Sequence, residues 1–274
     1  MNPGMLGYSA ERLRPMTGQL TRDICGMSGG SLTRILQLTS VLRSVGGIES
    51  CVRKLSDALV ERGFDNLVIV PAVGQLPSPA PTKWRAVAVP FDEPADLLAK
   101  VAEYHPDIVV MHQLGRPSLS DALSRQYRTV EVIHTAICSG GKLFRAHDSL
   151  CEHALGRRCL IDWYAGPCGT TANPFVARRA LQDARAQRSS LRRREHILVG
   201  SEYMRHYLVG EGIDQGSISV VDLFESEDRD RGAAVYREAK QNSDSYQLLY
   251  VGRVTYNKGL QYLLRALQLA HQSR

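Results

Sequence analysis

The fold is decided by the stretch from Arg34 to Val70, RILQLTSVLRSVGGIESCVRKLSDALVERGFDNLVIV. It opens with an apolar run of strand length, Arg34–Thr39, and closes with a second one, Asn66–Val70. Between these runs, apolar residues recur at three- and four-residue steps from Ile48 to Leu59, which predicts a helix with one apolar face. Gly63 follows where such a helix is expected to end. The stretch therefore predicts a strand, a helix and a second strand.

The same alternation continues along the chain to Val221. Four further strands are predicted before that point and one at it: Trp84–Val89, Asp107–His112, Thr129–His134, His196–Gly200 and Ile218–Val221. Helices are predicted between them, at Ala95–Tyr104, Leu119–Tyr127, Pro174–Glu195 and Glu202–Gly212, and a long irregular segment spans Ala136–Thr171. Continuous apolar strands separated by helices indicate a parallel sheet covered on both faces. The predicted fold is a doubly wound, Rossmann-like α/β domain, which binds ligands at the carboxyl ends of its strands.

The ends of the chain differ from this central part. Residues 1–30 are rich in Gly, Ser, Arg and Met and lack the apolar core of a secretory signal, so they are predicted to be a disordered tail or an over-extended translation start. Residues 31–224 form the predicted first domain, and the polar stretch 225–244 a linker. Residues 245–274 carry one predicted strand, Gln247–Gly252, and one predicted helix, Lys258–Gln272. We expect these two elements to open a second domain that the chain does not complete.

Composition is that of an ordinary soluble protein, with 43% apolar and 23% charged residues and no apolar run near the ~18 residues of a membrane span. The net charge is +6, and seven arginines between Arg178 and Arg194 supply much of the excess. This basic helix is interpreted as a solvated face. The alternative is a patch that rests on an anionic membrane surface or holds an acidic substrate. Nucleic acid is not an expected partner, because no recognised motif or aromatic platform accompanies the arginines.

Four of the six cysteines cluster in the irregular segment. They are Cys138, Cys151, Cys159 and Cys168. Their spacings are long and irregular, unlike paired Cys-x-x-Cys knuckles. Ordinary packed thiols are therefore the preferred interpretation, and a structural metal site is the alternative.

Candidate site residues lie at the ends of the predicted strands. Gly46 and Gly47 precede the first helix, where glycines let backbone N–H groups approach an anion, although they also serve a plain tight turn. Glu49 is in the first turn of that helix, where a carboxylate is favoured in any case. His134 ends one strand and could orient a sugar hydroxyl or relay a proton, and His112 ends another as a weaker candidate.

The sharpest pair of candidates is Arg253 and Lys258, in the stretch LLYVGRVTYNKG of residues 248–259. They lie five residues apart across a predicted strand-to-helix turn, so both can reach one pocket. A guanidinium and an ammonium beside a helix N-terminus suit a diphosphate. Glycines flank both residues, which weighs against two unrelated surface charges.

Taken in order, these motifs resemble family 4 retaining glycosyltransferases, whose two-Rossmann-domain architecture is called GT-B. The resemblance rests on Gly46-Gly47-Ile48-Glu49, on His134, on residues 197–201 (ILVGS) and on Gly252-Arg253 with Lys258-Gly259. It runs from about Arg34 to the C-terminus. The cysteine-bearing segment also looks like a variant found among bacterial members of the family.

The resemblance implies a sugar transfer from a nucleotide-diphosphate sugar to a polysaccharide, lipid-linked or small-molecule acceptor, as in cell-envelope polysaccharide biosynthesis. By position, Gly46 and Gly47 would lie against the donor, His134 would contact the transferred sugar, and Arg253 and Lys258 would grip the diphosphate. Glu49 and His112 would belong to the acceptor side. No cofactor or metal is expected, because the two cations would stabilise the leaving group. The expected location is the cytoplasm, with peripheral contact at the inner membrane face as an option.

One departure from the family pattern keeps other functions open. The paired-glutamate motif of the family lies well beyond the Lys-Gly step, and this sequence stops before it could appear. The alternative function is therefore a non-catalytic, acceptor-binding α/β module. A dinucleotide-binding dehydrogenase domain is disfavoured, since no Gly-x-Gly-x-x-Gly follows the first strand and Pro71, not an acidic residue, follows the second.

Overall fold

A computed structural model describes most of the chain between Leu32 and Val221, and parts of its C-terminal region. The described residues are 32–42, 46–72, 74, 76–77, 81–141, 143–146, 149–151, 153–165, 168–169, 171–221, 248–252, 254 and 258–272. The predicted tail and the predicted linker fall outside these ranges.

Seventeen elements of regular structure follow one another in the described ranges. The strands are β1 (Arg34–Thr39), β2 (Asp65–Val70), β3 (Arg85–Ala88), β4 (Ile108–His112), β5 (Thr129–Ile133), β6 (Phe144–Ala146), β7 (Ser149–Leu150), β8 (Ile197–Val199) and β9 (Ile218–Val220). The α-helices are α1 (Gly47–Glu61), α2 (Pro94–Tyr104), α3 (Pro117–Gln126), α4 (Arg158–Ala165), α5 (Pro174–Leu191), α6 (Glu202–Gly210) and α7 (Leu260–Gln272). A 3-10 turn, Gln215–Ser217, precedes β9.

Seven strands form one sheet in the order β3-β2-β1-β4-β5-β8-β9, and every neighbouring pair is parallel. The chain moves outward from β1 to β3 and then returns to the other side of β1 with β4. The order therefore reverses between β1 and β4, which is where doubly wound sheets open a ligand crevice. The predicted fold class is confirmed.

Helices cover both faces of this sheet, because alternate strand residues point to opposite sides. Ile35, Val110 and Val132 pack on the face that α1 covers, together with Leu55 and Leu59 of that helix. The intervening residues of β1, β2 and β4 pack on the opposite face against α2 and α3. Burial on both faces explains why the strands are nearly continuous apolar runs.

The segment predicted to be irregular, Ala136–Thr171, contains three elements that the sequence did not indicate. They are the antiparallel pair β6–β7 and the helix α4. The segment is also joined to the domain, because the Tyr207 hydroxyl of α6 donates to the Ile137 carbonyl.

The predicted strand Gln247–Gly252 is wrong for the part of it that is described. Residues 248–252 form no strand, and Leu249 and Val251 are 88% and 83% exposed. A single apolar strand gains stability only by pairing and by burying one face, and these residues do neither. The predicted helix after it is present as α7. No helix in the described ranges is both long and apolar enough to cross a bilayer.

The basic helix is not simply a solvated face. Arg194, just beyond α5, is buried and donates to Glu131 of β5 at 2.9 Å and to Asp121 of α3 at 2.8 Å. Arg188 binds the buried carboxylate of Glu211 at 3.1 Å. Several of the arginines therefore join elements of the domain, and the excess of charge available to a membrane is smaller than the sequence implies.

Candidate functional site

The polar residues of the candidate site come together at the carboxyl ends of β1, β4 and β5. Pairing places Gln37 opposite Val110 and Thr39 opposite His112, and His112 lies opposite Val132 in the next strand. Gln37 and His112 therefore point to the face that α1 covers, and His134 is two residues beyond Val132 on the same side. Parallel pairing brings to one place residues that lie far apart in sequence.

A chain of hydrogen bonds links these residues. Nε2 of His134 lies 3.2 Å from Nδ1 of His112, and Nε2 of His112 lies 2.9 Å from Oε1 of Gln37. Nε2 of Gln37 donates to Ser56 Oγ at 2.8 Å and to Asn66 Oδ1 at 3.0 Å. All members except His134 are buried. The chain therefore runs from the sheet interior to one half-exposed imidazole.

The direction of each bond follows from its inner end. The Ser56 hydroxyl donates to the Val52 carbonyl at 2.8 Å, so it accepts from the Gln37 amide. Gln37 then presents its carbonyl oxygen to His112, whose Nε2 must donate. Neutral His112 accepts at Nδ1, so the donor is Nε2–H of His134. Nδ1 of His134 is thereby left as the nitrogen that can accept a hydrogen bond from a ligand.

Burial keeps both imidazoles neutral at ordinary pH. It lowers the pKa of His112 from 6.5 to about 3, with a smaller contribution from His134, and it also lowers the pKa of His134. A neutral His134 can orient a hydroxyl by accepting its hydrogen bond, but its lowered pKa makes it a weak base. Of the two predicted roles, the arrangement favours orientation of a hydroxyl over proton relay.

Gln113 positions the backbone that carries His134. Its Oε1 accepts from the backbone N–H of His134 at 2.9 Å and from that of Thr135 at 2.7 Å. Its Nε2 donates to the carbonyl and hydroxyl oxygens of Thr135. Gln113 has φ 43°, an uncommon left-handed backbone conformation for a non-glycine residue and one that often occurs at functional sites.

The two glycines at the start of α1 have different surroundings. A Cβ at position 46 would lie 2.0 Å from Oε2 of Glu49, whereas a Cβ at position 47 would have nothing within 4 Å. The buried carboxylate of Glu49 therefore occupies the space that a side chain at 46 would need. Gly47 is exposed at the helix start. Predicted residues 46, 47 and 49 thus form one compact turn.

Cys51 joins the two histidines at the site. Its Sγ and one ring nitrogen each of His112 and His134 lie within 4.8 Å of one another, which is the one such group of potential metal ligands among the described residues. The near-coplanar rings, with an interplanar angle of 13° and a short N–N contact, are accounted for by the hydrogen bond between them. Cys51 therefore lines the site as a half-buried thiol.

The predicted donor-side cations are less fully placed. Arg253 is outside the described residues, and Lys258 is exposed two residues before the start of α7. Their convergence with Gly46 and Gly47 stays a prediction.

Sequence reasoning missed five residues of this site: Gln37, Ser56, Asn66, Gln113 and Cys51. One signal was present for Gln37, a lone amide inside an apolar strand, since a buried amide must find partners. No feature of the sequence around Cys51 indicates a site. Its proximity to His112 and His134 arises only when β4 and β5 pack against α1.

Comparison with known proteins identifies the family and the fold to which these residues belong. The model of Glycosyltransferase Family 4 matches residues 45–223, which is more than half of the chain. No curated protein matches. Among solved structures, sucrose-phosphate synthase from Thermosynechococcus elongatus is similar at 16% identity and a TM-score of 0.50, over 86% of this chain and 59% of that one. A glycosyltransferase from Rickettsia africae ESF-5 is similar at 13% identity and a TM-score of 0.49, over 88% of this chain and 58% of that one.

The chain thus spans less than two thirds of either solved structure. The matched range begins just before Gly46 and ends after β9, so it includes the whole sheet except β1 and leaves out the site residues Gln37, Arg253 and Lys258. The motif order, the Rossmann-like sheet of GT-B enzymes and the family match agree, and the chain belongs to glycosyltransferase family 4.

Proposed function

We propose that this chain contributes the acceptor-binding part of a glycosyltransferase that moves a sugar from a nucleotide-diphosphate donor to a glycan, lipid-linked or small-molecule acceptor. The observation that carries the proposal is the half-exposed imidazole of His134 just after β5, with a ring nitrogen within 4.8 Å of Cys51 Sγ in α1. Family membership supports the class of reaction.

In the proposed reaction, His134 accepts a hydrogen bond from a hydroxyl of the transferred sugar through Nδ1. The hydrogen bonds of His112 with the ring and of Gln113 with the His134 backbone hold the imidazole in place. Little conformational freedom is therefore lost when the sugar binds. Because burial keeps His134 neutral, its Nδ1 is free to accept the hydrogen bond from the sugar hydroxyl.

The donor is proposed to bind across the cleft from the α1 turn. Backbone N–H groups at Gly46 and Gly47 would meet the donor, and the helix N-terminus adds a field that favours negative charge. Arg253 and Lys258 would hold the diphosphate and stabilise the charge that develops as the sugar leaves. In this role they would serve in place of a metal ion.

Titration calorimetry of the whole chain with UDP- and GDP-sugars, and separately with glycan acceptors, tests the proposal. We expect binding of the donor sugar to weaken about tenfold in His134→Ala, the cost of about one hydrogen bond. The control is His105→Asn, which changes an exposed histidine at the opposite end of the sheet. Equal affinities in His134→Ala and the parent chain would remove His134 from the site.

Transfer is tested by release of nucleoside diphosphate in the presence of both substrates. Lys258→Ala should lower turnover on the order of a hundredfold, as loss of one charged stabiliser does. Unchanged turnover in that variant would contradict its assigned role.

One observation favours the alternative of a non-catalytic acceptor-binding module. The buried clusters and the hydrogen-bonded chain lie wholly between Arg34 and Val221, and α7 contains no buried residue. Acceptor binding without any donor binding in the same titrations would favour this module over the enzyme.

A contact with an anionic membrane is a further part of the proposal, now limited to the arginines of α5 that stay exposed, such as Arg178 and Arg179. Sedimentation with vesicles of phosphatidylserine and phosphatidylcholine tests it. The absence of binding at low salt would exclude this contact.

A further inference from the structure

The potential metal ligands that converge in the described part of the chain lie at the candidate site, not in the cysteine-rich segment. Sγ of Cys51 and one ring nitrogen each of His112 and His134 lie within 4.8 Å of one another. A thiolate and two imidazoles are ligands that suit zinc. Among the described residues no such group is formed by the four cysteines of the irregular segment, Cys138, Cys151, Cys159 and Cys168.

The two imidazoles have nearly the separation of zinc ligands. Two nitrogens that bind one tetrahedral zinc at about 2.0–2.1 Å lie ~3.3 Å apart. Nδ1 of His112 and Nε2 of His134 are 3.2 Å apart. A metal lies in the plane of each imidazole that binds it, and these two rings are within 13° of parallel. They face each other nearly head to head, with centroids 5.5 Å apart, so binding requires each ring to tilt toward the ion.

The thiol of Cys51 supplies the third ligand from α1. In a tetrahedral zinc site, a sulfur at about 2.3 Å from the ion lies ~3.5 Å from each bound nitrogen. Sγ of Cys51 is at most 4.8 Å from the two imidazole nitrogens, a gap that a small side-chain rotation can close. The thiol is half-buried and is in no disulfide, so it is available to the ion.

The surroundings of His112 are those of a metal-binding imidazole. Such a ring usually donates its other N–H to an oxygen that fixes its tautomer and its orientation. Nε2–H of His112 donates to Oε1 of Gln37 at 2.9 Å, and the Gln37 amide is held in turn by Ser56 and Asn66. Nδ1 of His112 therefore presents its lone pair toward His134 in the metal-free chain.

We propose that Cys51, His112 and His134 bind one zinc ion through Sγ, Nδ1 and Nε2. The ion takes the place of the proton that Nε2 of His134 donates to His112. Three protein ligands leave one tetrahedral position for water or another small ligand. That position is reached from the side on which His134 is half-exposed.

Zinc binding at this site moves two protons and releases one. Burial raises the pKa of the Cys51 thiol, so the metal-free chain carries it protonated, and the thiol gives this proton to solvent as the Zn–S bond forms. Nε2 of His134 loses its proton, and the ring takes one up at Nδ1. Nδ1 then donates a hydrogen bond where it accepted one. Zinc thus reverses the bond assigned to the sugar hydroxyl, a consequence that, unlike metal binding itself, rests on the proposed function.

Calorimetric titration of the full 274-residue chain with Zn²⁺, after reduction and removal of metal by a chelator, tests the proposal. We expect one zinc per chain with a dissociation constant of about 1 µM or tighter, weaker than four-ligand structural sites. Titrations in two buffers of different ionisation enthalpy should show about one proton released per zinc.

Cysteine variants identify the site. Cys51→Ser should weaken zinc binding at least about a hundredfold, since even loss of a second-shell partner costs ten- to a hundredfold. Cys159→Ser is the matched control, because Cys159 is also a half-buried thiol on a helix, and it should bind zinc as the parent chain does.

A spectroscopic measurement on the parent chain serves if a variant fails to fold. ¹⁵N spectra of the histidine rings should show His134 change from the Nε2–H to the Nδ1–H tautomer when zinc is added. No saturable binding below ~100 µM Zn²⁺, unchanged ring spectra, or equal binding in Cys51→Ser and the parent chain overturns the proposal. None of these measurements uses a sugar, so their failure leaves the proposed function to its own titrations.

Discussion

At the residue scale, Gly46 and Gly47 are adjacent but should respond differently to the same substitution. Gly46→Ala displaces the buried Glu49 carboxylate and should cost about 1 kcal/mol of unfolding free energy. Gly47→Ala meets no atom within 4 Å and should be neutral, or stabilising by ~0.5 kcal/mol, because alanine suits a helix better than glycine. Urea unfolding of both variants measures the difference.

A double substitution separates two causes of the lost stability: the clash with the Glu49 carboxylate, and the backbone preference of glycine at position 46. With Glu49→Ala already in place, Gly46→Ala should cost at least ~0.5 kcal/mol less than it does alone. Additive costs in that cycle would show that the Glu49 carboxylate is not the obstacle.

His112 should make the stability of the protein depend on pH. Burial lowers its pKa from 6.5 in the unfolded chain to about 3 in the folded chain. Between these pH values the unfolded chain therefore binds a proton at His112 and the folded chain does not. The contribution of His112 to the unfolding free energy is fully present above pH 6.5 and is lost as the pH falls toward 3. At pH 5 the loss should be ~2 kcal/mol. Urea unfolding between pH 7.5 and 5 should show this loss.

His112→Gln removes the titrating ring but keeps an amide that can bond to Gln37. The variant should be less stable than the parent at pH 7.5, yet lose less stability between pH 7.5 and 5. If the two pH slopes coincide, His112 is not the group responsible.

At the scale of elements, a buried ionic cluster joins the end of α5 to β5 and α3. Arg194 binds Glu131 and Asp121, and the side chain of Arg194 is 2% exposed. Burial opposes ionisation of Asp121, but hydrogen bonds from Ser190, Arg194 and Arg193 outweigh it and lower the pKa of that carboxyl. The cluster therefore depends on its buried guanidinium.

Removing that guanidinium should be costly. Arg194→Met leaves the buried Glu131 carboxylate without its ion pair and should lower the unfolding free energy by ~3–5 kcal/mol. Arg179→Ala is the control, because its pair with Asp183 lies on the exposed surface of α5 and should contribute at most ~0.5 kcal/mol. Chemical denaturation compares the two, and similar small losses in both variants would contradict the ranking.

At the scale of the whole molecule, stability should be distributed unevenly along the chain. β4 lies inside the sheet with buried residues on both faces, whereas α7 contains no buried residue. Amides of β4 should exchange at rates set by global unfolding, and those of α7 faster by several orders of magnitude. Hydrogen exchange followed by mass spectrometry tests this, and equal protection of α7 and β4 would mean that α7 is packed more firmly than its exposure indicates.

The sheet and its helices could be predicted from the sequence because they depend on local pattern. Apolar runs such as Ile108–His112 are buried on both faces, so they read as strands wherever they occur, and Gly63 ends its helix by backbone geometry alone. The helix α4, RCLIDWYA, was missed because its eight residues show the apolar pattern for little more than two turns. The strand predicted at Gln247–Gly252 failed for the converse reason, since an apolar run is a strand only when a neighbour pairs with it.

The sequence by itself determined the strands of the seven-stranded sheet and the helices between them, the family, and the positions of His112 at the end of one strand and His134 just after another. Only the tertiary structure decided that Gln37, His112 and His134 form one hydrogen-bonded chain and that Cys51 lies beside it. The reason is that side-chain contacts across a parallel sheet depend on which strands pair and in which register. That pairing is set by packing of the whole domain and leaves no trace in the spacing of the residues along the chain.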